Sequence, residues 1–235
     1  MQLFYNPEIT IETKQFTFDK TESRHIVKVL RKNEGDTIFI TNGFGDLFTS
    51  KIIAANDKKC LVEITAIETK QKPWNYYLHI AIAPTKLNDR FEWFLEKATE
   101  IGIDEITPII CDHSERKVLK TDRMEKIIQS AAKQSLKFHY PKLNEPITFN
   151  DFIKLNFEGQ LFIAHCEETE KKLLKTELKP QLPTTILIGP EGDFSPKEIK
   201  QSLGRSFIPV SLGESRLRTE TAGIVAVHSV AFINE

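Results

Sequence analysis

The chain has 235 residues, 40% hydrophobic and 28% charged, with a net charge of −1. This is the composition of an ordinary soluble protein of one large or two small domains, and it excludes a uniformly basic nucleic-acid binder. No apolar run approaches the ~20 residues needed to cross a bilayer. Residues 1–7 do not read as a signal peptide, and Cys60, Cys111 and Cys166 are too few and scattered for a disulfide framework. A reducing cytoplasm and no membrane are therefore expected.

Residues 1–72 read as a small β-barrel-like domain. Phe16–Phe18, Thr37–Thr41 and Cys60–Thr65 are β-rich and alternate in part, with turn signals at Asn42-Gly43 and Gly45-Asp46. One helical piece interrupts them: Ser23 is a candidate cap for a turn carrying Ile26, Val27, Val29 and Leu30. The polar Lys70-Gln71-Lys72-Pro73 marks the boundary.

Residues 73–235 alternate between strand and helix. Strands are expected at 77–83, 106–110, 161–164, 185–188 and 207–210. Phe91, Phe94, Leu95, Ala98 and Ile101 have helical spacing, with Gly102 as C-cap. Asp122 and Glu125 have the spacing of a capping box. Ser195-Pro196-Lys197-Glu198 is the clearest helix start, with Gly204 past its end, and a last helix begins near Thr219. Alternating elements predict an α/β domain with a mostly parallel sheet covered on both faces. Trp74, Trp93, His79 and His228 read as core.

Charge is unevenly spread. Lys20, Arg24, Lys28, Arg31 and Lys32 crowd one short segment, and Arg116, Lys117, Lys120, Arg123, Lys126, Lys133, Lys137 and Lys142 crowd another. Such stripes suit phosphates, although charge runs are more often solvated faces. Two glycine segments follow short strands, where open α/β sheets bind ligands. Gly189-Pro190-Glu191-Gly192 lacks the spacing of the common nucleotide loops, but its backbone can approach a flat ligand closely. Leu212-Gly213 is followed by Arg216 and Arg218, which suit a carboxylate, a phosphate or a developing oxyanion. The alternatives are bare turns and ion pairs with Glu214 and Glu220. Cys111-x-His113 and His165-Cys166 lack zinc-site spacing, and no metal is expected.

Leu187-Ile188-Gly189-Pro190-Glu191-Gly192 with Phe194-Ser195, and Leu212-Gly213-x-x-Arg216-Leu217-Arg218-x-Glu220-Thr221-Ala222, resemble the SPOUT (α/β-knot) methyltransferases. The nearest resemblance is to the bacterial 16S ribosomal RNA uridine N3-methyltransferase family. His25-x-x-x-Val29-Leu30-Arg31, Lys97–Gly102 with Ile106–Pro108, Ser114–Arg116 and Ala132-x-Gln134-Ser135 agree in order. The sequence departs from the family at Asp193, where a third glycine is usual, at Lys133 for Glu and at Lys137 for Arg.

The resemblance implies a PUA-like RNA-binding β-barrel followed by a trefoil-knot domain. It implies S-adenosylmethionine as cofactor, held by Ile188, Gly189, Pro190, Glu191, Gly192, Leu212, Gly213, Ser215, Leu217 and Arg218. It implies a homodimer acting on N3 of one uridine in 16S rRNA of the small ribosomal subunit, with no DNA partner. Arg218 and then Arg216 are the candidates to stabilise the uracil anion. Glu220 is the first candidate base, ahead of Glu191 and His165. His25, Lys28, Arg31, Arg116, Gln134 and Lys137 are the candidate RNA contacts. The alternatives are a non-catalytic RNA-binding protein with this fold, and a related knotted enzyme acting on transfer RNA or a ribose 2′-hydroxyl.

Overall fold

The computed structural model describes residues 1–168 and 170–235. They form two units, Met1–Pro73 with Ala132–Tyr140, and Trp74–Ala131 with Pro141–Glu235.

The first unit contains β1 (Leu3–Tyr5), β2 (Gln15–Thr17), α1 (Lys20–Arg24), a π-helical turn (His25–Val29), β3 (Thr37–Thr41), β4 (Asp46–Ala54) and β5 (Leu61–Thr69). The sheet order is β1-β3-β4-β5-β2, with β1 parallel to β3 and the other pairs antiparallel. Register shifts between Thr49 and Ser50 and between Ile52 and Ala54 bend the long β4–β5 ladder, as bulges do. Alternate residues Ile38, Ile40, Phe48, Ile52 and Val62 point inward and meet Phe4, Phe18 and Ile26 in one core. Each such burial contributes about 1.5–3 kcal/mol.

Ser23 is not the cap expected of it. Asp19 stands three residues before Glu22 and accepts its N–H at 2.8 Å, so the helix starts earlier. Ser23 is buried within α1, where its Oγ donates to Phe18 O and accepts from Cys60 N at 2.8 Å. Residues 132–140 join this unit through Tyr140, which stacks on Tyr5 with ring centroids 4.5 Å apart. Lys133 pairs with Glu22 at 3.2 Å.

The second unit contains β6 (Leu78–Ile82), α2 (Asn88–Ile101), β7 (Glu105–Ile110), α3 (Thr121–Gln134, whose last turn belongs to the first unit), β8 (Lys142–Leu143), β9 (Ile147–Thr148), α4 (Phe149–Phe152), β10 (Gln160–Ala164), β11 (Lys172–Leu173), α5 (Leu174–Glu177), β12 (Thr184–Ile188), α6 (Pro196–Gly204), β13 (Ile208–Ser211) and α7 (Thr219–Asn234). The sheet is wholly parallel in the order β11-β13-β10-β12-β6-β7-β8, and β9 pairs with the end of β7. Alternation along the central strands divides the core. Leu78, Ile80, Ile82, Ile186 and Ile188 face α2 and α7, whereas Ala81, Ala83, Ile163 and Leu187 face Phe149, Phe152, Phe194 and Ile199. Gly223 lets α7 approach α2, since a Cβ there would lie 2.7 Å from the Phe94 ring.

Several expectations shift. Thr121 opens α3, so Asp122 lies in its first turn, where a carboxylate favours the helix dipole without capping it. Gly204 is the last residue of α6 and Arg205 the C-cap. Trp93 and His228 are exposed, because they lie on the outward sides of α2 and α7. Gly102 does cap α2, its N–H donating to Ala98 O, and Ser195 does make a full capping box.

What positions the site is the register at Ala164. It lies opposite Ile188 on one side and Val210 on the other. The chain turns away from the sheet beside all three, so the segments after β10, β12 and β13 are neighbours although far apart in sequence.

Candidate active site at the ends of three parallel strands

The Gly189–Ser195 loop is held from every side. Asp193 adopts φ 64°, the left-handed region that Asp tolerates better than most residues. Its N–H donates to Pro190 O at 2.9 Å, closing the turn. Its Oδ2 accepts from Cys166 N at 2.7 Å, which ties the loop to the segment after β10. His113 Nδ1 lies 3.0 Å from Gly192 O and 3.1 Å from Asp193 O, as donor to these carbonyls. Glu191 Oε1 accepts from Lys86 N at 2.8 Å. The buried Glu198 accepts from Ser195 N with one oxygen and from Asp112 N with the other. Gly189 is needed for space, since a Cβ would meet the Phe194 ring at 3.0 Å.

The Leu212–Arg218 loop is different. Gly213 has φ 147° and open space where a Cβ would be. Arg216 and Arg218 are exposed, and neither guanidinium has an ion-pair partner among the described residues. The expected alternative, pairing with Glu220, does not occur. Glu220 turns inward beside Arg90, with Oε1 3.7 Å from Nε, because α7 starts at Thr219 and carries its first turn into the core. Glu220 is 6% exposed, and its Oε2 has no hydrogen-bond partner among the described residues. One bond joins the two loops: Thr219 Oγ1 donates to Gly189 O at 3.1 Å.

Between the loops lie two adjoining cavities, of about 270 and 650 Å³. Ala164, Cys166, Asp193, Arg216, Leu217 and Ala222 line both. Of the expected cofactor contacts, Ile188, Gly189, Pro190, Glu191 and Arg218 line the smaller, Leu212, Gly213 and Ser215 the larger, and Leu217 both. Gly192 lines neither and packs instead on His113. Arg216, Leu217 and Arg218 also form a wall of a third cavity, completed by Asp89, Arg90, Trp93, Glu220 and Thr221. Arg218 and Glu220, two of the candidate catalytic residues, therefore meet there with Arg216. Glu191 and His165 do not line this third cavity; Glu191 shares the smaller one with Arg216 and Arg218, and His165 the larger one with Arg216. His165 is buried after β10 with neither ring nitrogen hydrogen-bonded among the described residues, and burial followed by Lys171 pulls its pKa below the usual value.

The candidate RNA contacts divide. His25, Lys28, Arg31 and Gln134 are exposed on the first unit, with Lys137 half-buried there. Arg116 belongs to the second unit and commits its guanidinium to the carbonyls of Thr85 and Lys86. Sequence reasoning missed Arg90, Trp93, His113 and the Asp193–Cys166 bond. Only the departure from glycine at Asp193 signalled any of them.

The sequence pattern of the RNA methyltransferase domain matches residues 72–231, and that of the RNA methyltransferase PUA domain matches residues 18–65. The chain belongs to the RNA methyltransferase family. It is 32% identical over 229 residues to ribosomal RNA small subunit methyltransferase E of Buchnera aphidicola, covering 94% of this chain and 89% of that one. Among solved structures it resembles a probable rRNA-methyltransferase from Porphyromonas gingivalis, at 42% identity and TM-score 0.93 over 100% of this chain and 98% of the other. It also resembles the ribosomal RNA small subunit methyltransferase E of Neisseria gonorrhoeae bound to S-adenosyl methionine, at 25% identity and TM-score 0.85 over 99% and 98%. The second unit is thus a SPOUT methyltransferase domain and the first a PUA-like domain.

Proposed function

We propose that this methyltransferase transfers the methyl group of S-adenosylmethionine to N3 of one uridine in 16S rRNA of the small ribosomal subunit. The observation that carries the reading is the pair of cavities walled jointly by the two glycine loops, with uncommitted guanidinium groups on their rim. The walls suit such a cofactor. Ile188, Leu217 and Ala222 are apolar, the backbone at Gly213 is open to close approach, and the Gly189–Ser195 loop is fixed by its hydrogen bonds before any ligand arrives. When bound, the cofactor supplies an electrophilic methyl carbon.

The chain's own residues do the rest. They must hold uracil N3 about 3–3.5 Å from the methyl carbon, opposite sulfur. Loss of the imide proton spreads negative charge onto the flanking carbonyl oxygens. A guanidinium beside those oxygens stabilises the transition state more than the neutral ground state. Arg218 fills this role and Arg216 supports it, because both face the cofactor cavity and the third cavity. That third cavity takes the uracil. Glu220, a residue of its wall whose buried Oε2 makes no hydrogen bond among the described residues, is the proton acceptor.

RNA is held by His25, Lys28, Arg31, Gln134 and Lys137, and the target base must be unpaired or flipped out to be reached. The protein works as a homodimer in the cytoplasm. Support for the dimer comes from the largely apolar α7, which leaves Phe232 71% exposed on its outward side beside His228. No helix among the described residues is long and apolar enough to cross a membrane. The test is methyl transfer from labelled cofactor to unmethylated 30S subunits, naked 16S RNA and transfer RNA, with the modified nucleoside identified by mass. Label in 3-methyluridine of 16S RNA is expected. Label in transfer RNA or a 2′-O-methyl nucleoside refutes the reading, and no label in any substrate favours the non-catalytic alternative.

A further inference from the structure

Phe44 is one of the most exposed large apolar side chains of the first unit, at 75%. It is not at the tip of a loose loop. Phe44 N–H donates to Asn42 Oδ1 at 2.9 Å, and Asn42 Nδ2 donates to Asp46 Oδ2 at 2.9 Å. Gly43 O accepts from Tyr140 N at 2.9 Å, and Gly45 N–H donates to Phe138 O at 2.9 Å. Gly45 O accepts in turn from Lys70 N at 2.8 Å. Both flanking glycines have positive φ, 81° and 105°. A Cβ on Gly43 would lie 2.9 Å from the Tyr5 ring, and one on Gly45 would lie 2.6 Å from the His139 ring. The turn is therefore clamped between aromatic rings and tied by hydrogen bonds on both sides of Phe44, while the one large side chain it carries faces water.

A fixed aromatic ring in water suits a flat partner. We propose that Phe44 is a stacking platform for an unpaired base of the RNA substrate, which rests on the reading of the chain as an rRNA methyltransferase. Base stacking on an aromatic ring tolerates any base and needs rigid presentation. The ring lies within the matched RNA methyltransferase PUA segment, residues 18–65. The neighbouring structure carries the complementary charge. β1 puts the rings of Phe4 and Tyr5 side by side in sequence. His25 meets the Phe4 ring at 6.2 Å, and Tyr140 stacks on Tyr5. The basic π-turn of His25 and Lys28 and the Gln134–His139 segment thus flank β1, and His139 forms a β-bridge with Phe44. An RNA strand crossing the His139 segment reaches the ring.

The test uses the full chain, with transcribed 16S RNA as the probe in filter binding across a salt series. Phe44→Ala is expected to weaken binding about tenfold, whereas Phe44→Trp stays within about twofold of wild type and Phe44→Leu does not rescue. The slope of affinity against salt should not change, because no charge is removed. The paired control Lys28→Ala/Arg31→Ala should lower that slope. Wild-type affinity in Phe44→Ala overturns the stacking role alone if the control still weakens binding. No RNA binding by the wild type overturns the substrate reading as well. A change of sedimentation in Phe44→Ala, with RNA affinity kept, shows that the ring serves a protein contact and also overturns the proposal.

Discussion

The two glycine loops of the second unit look alike in sequence and are built in opposite ways. The Gly189–Ser195 loop is bonded to the segment after β6, the segment after β7 and the segment after β10, and its helix starts with a full capping box. The Leu212–Arg218 loop has few such ties, an open glycine and two guanidinium groups facing solvent. Rigidity and reactive groups are thus placed on separate loops. A preorganised wall costs nothing to reorganise when ligand arrives, and free arginines remain available for charge that appears only during reaction. Thr219 joins the two, so the reactive loop is referenced to the rigid one.

The contrast can be broken from either side. The largest effect should come from the reactive loop. Arg218→Ala should lower single-turnover methyl transfer about 10²–10³-fold, as for loss of one oxyanion donor. Cofactor affinity should stay within a few-fold by calorimetry, and an unchanged rate would remove Arg218 from the chemistry. On the rigid side, Glu198→Ala leaves the buried Ser195 N–H and the part-buried Asp112 N–H without their acceptor. It should cost about 2 kcal/mol in urea unfolding and weaken cofactor binding. Asp193 offers a finer cut. Asp193→Ala loses the Cys166 bond and keeps the left-handed backbone, costing about 1–2 kcal/mol. Asp193→Gly loses the same bond but relieves the backbone, so its cost should be smaller. Equal costs would mean that φ 64° carries no strain.

The smallest effect is titration. Burial lowers the pKa of both His79 and His165, so the unfolded chain binds their protons first as pH falls. Their contribution to stability is complete above the ordinary histidine value of about 6.5 and is lost progressively below it. Melting temperature should fall from pH 7 to 5, and less steeply in His79→Asn. A melting temperature that rises over that interval would contradict the assignment.

The sequence made the strand–helix alternation and the helix starting at Ser195 legible, because these rest on local patterns: apolar runs, a Ser-Pro-x-Glu cap and Gly102. The two glycine loops stood out for the same reason. What it hid depends on distance. Nothing local ties Glu220 to Arg90, Asp193 to Cys166, or Thr219 to Gly189. Ser23 has the chemistry of a cap, but Asp19 is better placed to take that position. β1, β8, β9 and β11 are two or three residues long and show no periodicity. Arg116 is a basic residue in a basic stripe, and only its bonds to the Thr85 and Lys86 carbonyls distinguish it from a phosphate contact.

Leu217 lines both cavities between the loops and the third beside Glu220. Calorimetric titration of S-adenosylmethionine into wild type and Leu217→Trp therefore tests most directly whether the two loops wall one cofactor site. The larger side chain has open space to enter, so the variant should melt within a few degrees of wild type while losing at least about tenfold in cofactor affinity. Unchanged affinity in a folded Leu217→Trp protein would place the cofactor elsewhere and contradict the account.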